Sequence, residues 1–159
     1  MALTDNEKDN VIDLNIDGIK KQRFRINGDS NSIIELDLSD LKIIDRLEEG
    51  LQKLENEMRK ISELSPEDEK LSDTLAEADA KMREAIDYIF DYPVSAVVAK
   101  SGTMYDPKDG MFRYEHIIDA LTKLYKNNIN EEYKRFQARI KKHTEKYIAS
   151  SKKKGKQNK

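Results

Sequence analysis

The side chains that could do chemistry are few in this chain, and their spacing argues against catalysis. The two histidines, His116 and His143, stand far apart and form no His-Glu-x-x-His pair, so they read as ordinary helix-surface residues. There is no Cys, which removes disulfides, thiolate zinc sites and a Cys nucleophile. No Gly-x-Ser-x-Gly, Walker loop or Gly-x-Gly-x-x-Gly occurs. Asp13, Asp17 and Asp29 sit near turns, without the Gly and Glu offsets of a calcium loop. The paired acids Glu48-Glu49 and Glu131-Glu132 are adjacent, so on a helix they point in different directions and belong to a solvated face. The expectation is a chain with no catalytic residues, no metal site and no cofactor.

Charge and apolar spacing carry more information. The net charge of −2 hides an asymmetry: residues 1–91 hold 24 acids and 13 bases, whereas residues 134–159 hold 1 acid and 11 bases. Lys152, Lys153, Lys154 and Lys156, with Arg135, Arg139, Lys141, Lys142 and Lys146 upstream, could contact phosphates. The acidic remainder and the lack of an aromatic stacking surface oppose that reading. A solubilising tail or a patch that docks on an acidic protein fits better, with nucleic-acid binding kept as an alternative.

These features need elements to hold them. Apolar residues make up 37% of the chain and charged residues 38%, a balance suited to helices that bury one narrow face. The expected fold is α+β and predominantly α, with a β meander at 11–38, a helical hairpin at 40–91 and a C-terminal helix at 111–149. Residues 1–10 form a flexible N-terminus and 150–159 a flexible basic tail without an apolar side chain. Val11 to Ile16, Lys21 to Ile26 and Ile33 to Leu38 alternate as three half-buried strands, with turns at Asp17-Gly18 and Asn27-Gly28. Ser39 or Asp40 caps a helix from about Leu41, whose stripe Ile44, Leu47, Leu51, Leu54, Met58 and Ile61 has coiled-coil spacing. Gly50 within it implies a need for a small residue. Ser65-Pro66 restarts a second helix with the stripe Leu71, Leu75, Ala78, Met82, Ala85 or Ile86, and Ile89; a kinked single rod is the other arrangement. Asn127-Asn128 is a place where the last helix could bend. The candidate protein-binding residues are Leu47, Leu51, Leu54 and Met58 on the first seam, and Tyr88, Phe90, Tyr92, Val97 and Val98 in the densest aromatic segment. No stretch approaches the roughly 20 apolar residues of a membrane span, and the acidic, polar start MALTDNEKDN is no signal peptide. The expected place is the cytoplasm.

The segment Lys-Gln-Arg-Phe-Arg-Ile-Asn-Gly-Asp, followed by Ile-Glu-Leu-Asp-Leu-Ser-Asp-Leu, resembles small tail-region proteins of long-tailed phages of Gram-positive bacteria. So do Ala85 to Asp91 with Pro93 to Val98, and the closing helix with Gln137-Ala138-Arg139-Ile140 and Lys146-Tyr147. The resemblance covers most of residues 20–148, and the charged stretch around 62–80 departs from it. Such proteins resemble tail assembly chaperones. The resemblance implies binding to the tape measure protein, recruitment of the major tail protein and no enzymatic residue. A structural virion subunit, such as a tail connector or completion protein, is the alternative, and a homo-oligomer is compatible with either.

Overall fold

The computed structural model describes residues 11–14, 16 and 21–157, without the side chains of His143 and 147–157. The loose N-terminus expected at 1–10 and the turn at Asp17-Gly18 lie outside the described residues. Two strands, β1 (Gln22–Ile26) and β2 (Asp29–Leu36), pair antiparallel with Phe24 opposite Ile34 and Arg23 opposite Glu35. Asn27 and Gly28 both take positive φ (51° and 74°), the mirror-image turn geometry whose twist suits a hairpin. Alternation then buries Ile34 and Leu36 and leaves Arg23 and Arg25 in water.

The three-stranded meander is corrected to this two-stranded hairpin. Val11, Ile12, Leu14 and Ile16 lie in no strand and are 54–83% exposed. Alternation states which face a segment could bury; the rest of the fold decides whether there is anything to bury it against.

Helix α1 (Ile43–Ser62) starts two residues later than the sequence suggests, because Asp37 and Asp40 hold the chain in turns first. Asp40 Oδ1 accepts from the Lys42 N–H at 3.0 Å, and its Oδ2 pairs with Arg46 at 2.9 Å. The stripe is rotated accordingly: Ile43 is buried, while Ile44 is exposed. Helix α2 (Leu71–Phe90) returns alongside α1, so the hairpin is formed and the single rod is not. Its start is also late. Ser65–Asp68 and Asp68–Leu71 form successive turns, with Ser65 Oγ accepting from Glu67 N–H and Asp68 Oδ1 from Lys70 N–H. Short polar side chains here compete with the helix for backbone donors. Gly50 marks a close approach of the two helices, because a Cβ there would run into Ile89 Cγ1 and Cδ1.

Asp91 ends α2 in the left-handed conformation (φ 50°), and α3 (Val94–Val98) follows Pro93. A small hairpin, β3 (Pro107–Lys108) and β4 (Met111–Phe112), turns through Asp109 and Gly110, both at positive φ. Helix α4 (Arg113–Gln157) then runs 45 residues. It passes through Asn127-Asn128 unbroken, and Asn128 Nδ2 donates to the carbonyl of Leu38, two residues past β2, at 3.1 Å. Within the segment expected as a basic tail from 150, the backbone is helical to Gln157. Lysine is a good helix former, and extending an existing helix avoids the cost of a new nucleus. One core joins β2, α1, α2, α3 and the first turns of α4, with Ile34, Leu36, Leu54, Met82, Ile86, Ile89 and Met104 fully buried. No helix among the described residues is long and apolar enough to cross a membrane.

Candidate functional site

The seam on α1 turns inward. Leu54 is fully buried, and Leu47, Leu51 and Met58 are half-buried against the core. Phe90 is buried too, its ring centroid 6.3 Å from that of Tyr125. Tyr92, Val97 and Val98 are half-buried, and the Tyr92 hydroxyl reaches the Ile33 carbonyl at 3.5 Å. Tyr88 alone of the nine candidates is exposed. It donates to Glu49 Oε2 at 2.6 Å and lies 5.1 Å from the Lys53 ammonium. The Glu49 carboxylate accepting this bond raises the Tyr88 pKa. Of the nine, two are therefore buried, six are half-buried against the core and one is exposed.

The outward-facing seam lies on the far half of α4. Every described side chain from Asn130 to Lys146 is exposed. Among them Tyr133, Phe136 and Ile140 are 59%, 56% and 49% exposed. With Ile129 they step 4, 3 and 4 along the helix, which places them on one face as a heptad seam does. Lys134, Arg135, Arg139, Lys141, Lys142 and Lys146 cover the remainder, opposed among the described side chains by Glu145 and by Glu131 and Glu132 at the root. Arg135 is paired with Glu132 at 2.9 Å. From Asn130 to Gln157, at 1.5 Å per residue, the arm is about 42 Å long. The side chains of Lys152, Lys153, Lys154 and Lys156 lie outside the described residues; their backbone continues the same helix.

At the root of the arm the seam runs into an apolar groove of about 460 Å³ between α1 and α4, lined by Ile43, Ile44, Leu47, Tyr125 and Ile129 among others. Ile44 is exposed at its rim. Burial pushes the Tyr125 phenol up to about 12.

A second, larger cavity of about 930 Å³ opens between the β1–β2 turn, the end of α3 and the start of α4, with Arg25, Lys100, Lys108, Arg113 and His116 on its wall. Most of these groups serve the neighbouring loops. Lys100 pairs with Asp29 at 3.4 Å, Arg113 donates to the Ser101 carbonyl at 2.8 Å, and a His116 ring nitrogen meets the Lys108 carbonyl. Asp29 is held below its ordinary value by the Asn31 N–H first, then by the Ser32 hydroxyl and Lys100. Asp106 is held down by the Thr103 hydroxyl and N–H, with Arg113 adding to the effect.

Sequence reasoning missed what shapes the 99–106 loop. Arg83 on α2 donates to the Ala99 carbonyl at 3.2 Å and the Gly102 carbonyl at 2.8 Å, while pairing with Asp79 at 2.8 Å. Asp79 in turn accepts from the Met104 N–H at 2.7 Å. Spacing of Asp79 and Arg83 by four residues signals a helical ion pair; that they also fasten a distant loop has no local signature. Among the described residues, no three His, Cys, Asp or Glu side chains gather as a metal site. No protein-family model, curated protein or solved structure matches the chain.

Proposed function

We propose that this chain works by binding other proteins through helices, and specifically that it is a tail assembly chaperone. Its client would be a long helical tape measure protein, and it would help bring tail tube subunits to that client. The observation that carries the proposal is the α4 arm: a heptad-spaced apolar seam on a helix whose described side chains from Asn130 to Lys146 are all exposed. Covering Tyr133, Phe136 and Ile140 with a partner helix would gain about 1.5–3 kcal/mol per side chain for full burial. That gain is offset by the cost of association, which leaves the binding reversible. Reversibility is what a chaperone needs if its client is to be handed on. The dense charge around the seam keeps the free arm in solution. The sequence resemblance to small phage tail proteins supplies the client class, and the host cytoplasm is where such assembly would take place.

Co-expression with the tape measure protein encoded nearby tests the proposal. The expected result is a soluble complex that co-purifies and is lost when Tyr133, Phe136 and Ile140 are all changed to Ser. If the client stays insoluble and nothing co-purifies, the proposal fails.

A further inference from the structure

The two ends of the molecule carry opposite charge and complementary apolar residues, and their relation bears on how the arm is kept when no client is present. The turn between α1 and α2 and the first turns of α2, residues 63–77, hold six acids (Glu63, Glu67, Asp68, Glu69, Asp73 and Glu77) and one base, Lys70. Within this acidic tip Leu64, Leu71 and Leu75 are only half-buried and stand outside the main core. The arm offers the converse: Tyr133, Phe136 and Ile140 between exposed cations. Two arms placed side by side would set like charges against each other. An arm laid on an acidic tip would pair opposite charges and cover apolar groups on both sides. Among the described residues, the arm's side chains from Asn130 to Lys146 are exposed, so they are left open to such a contact.

We infer that the basic α4 arm docks on the acidic α1–α2 tip of a second copy of this chain, head to tail. The contact joins two different surfaces, so it leaves one arm and one tip free at the ends and extends to a ring or a chain of copies. The inference rests on the proposed function only in taking the arm as a protein-binding surface. Self-association would then shield the seam until a client with a better-matched stripe displaces the tip.

Sedimentation velocity of the full chain at rising concentration, in low and in moderate salt, tests this. Species larger than a dimer are expected at low salt, with loss of association as salt rises. Charge reversal on the arm (Arg135→Glu, Arg139→Glu, Lys142→Glu) should give monomer, and so should reversal on the tip (Glu67→Lys, Glu69→Lys, Asp73→Lys). Mixing the two variants should restore association, because each then offers the surface that the other needs. Circular dichroism of each variant guards against unfolding as the cause. Monomer at every concentration overturns the inference, as does association indifferent to both reversals or a mixture that stays monomeric. So does a monomer whose arm binds a random-sequence DNA duplex, which would make the cations a phosphate-binding surface. A monomer that still captures its client overturns the inference and leaves the proposed function standing; an oligomer that captures none does the reverse.

Discussion

Helix α1 and the outer half of α4 carry the same kind of apolar stripe and meet opposite fates. On α1, Leu54 is fully buried and Leu47, Leu51 and Met58 are half-buried against the core. On α4, Tyr133, Phe136 and Ile140 face solvent. Heptad spacing therefore marks a face able to pair and leaves the partner unspecified. What distinguishes the two helices is the neighbour. A short connection folds α2 back on α1, whereas the last helix outruns the small core that holds its first turns.

The comparison yields tests of decreasing size. The largest effect is expected from Leu54→Ala, which empties a fully buried site in the α1–α2 contact; urea unfolding should show a loss of about 2–5 kcal/mol. Gly50→Ala forces a methyl against the Ile89 side chain of α2. It should cost about 1–3 kcal/mol in the same measurement, as overpacking does. An effect near zero would mean that the helices can part there, and that the α1 seam is less closed than it looks.

Tyr125 probes the junction between the core and the arm. Its pKa is raised from 10.0 to about 12 by burial, so the folded state favours the neutral phenol. A raised pKa contributes stability fully below pH 10 and loses it as pH rises through about 12. Alkaline unfolding followed by circular dichroism should therefore show destabilisation across that window, and Tyr125→Phe should reduce its steepness. Unchanged alkaline behaviour in the variant would remove Tyr125 as the cause. The smallest effect on stability belongs to the arm. Tyr133→Ser, Phe136→Ser and Ile140→Ser should each shift unfolding by no more than about 0.5 kcal/mol, as exposed substitutions do. A loss of several kcal/mol from any of them would show that the seam is covered within the chain in solution, and would erase the contrast with α1.

Part of this organisation was legible in the residues. The period-2 run around Phe24 and Ile26 and the Asn27-Gly28 turn gave the hairpin. Of the stripe on α2, Ala78, Met82, both Ala85 and Ile86, and Ile89 are buried, while Leu71 and Leu75 are half-buried. Gly50 in the α1 stripe pointed to a need for a small residue, and only the structure shows Ile89 as the neighbour. Two outcomes share one cause. Val11, Ile12, Leu14 and Ile16 have the alternation of a strand and lie in none, and Leu47, Leu51, Leu54 and Met58, with the spacing of a docking seam, are buried or half-buried against the core. In both, the pattern marks a face able to pair and the neighbours decide what covers it.

The sequence by itself determined the periodicities, the turns at positive φ and the separation of charge into an acidic front and a basic end, because these follow from local sterics and from composition. Only the tertiary structure decided which apolar face is covered, that Arg83 fastens the 99–106 loop, and that the outer half of α4 stands clear of the core. Those outcomes depend on contacts between residues far apart in the chain. No local pattern encodes them, since burial is a property of the neighbour as much as of the side chain.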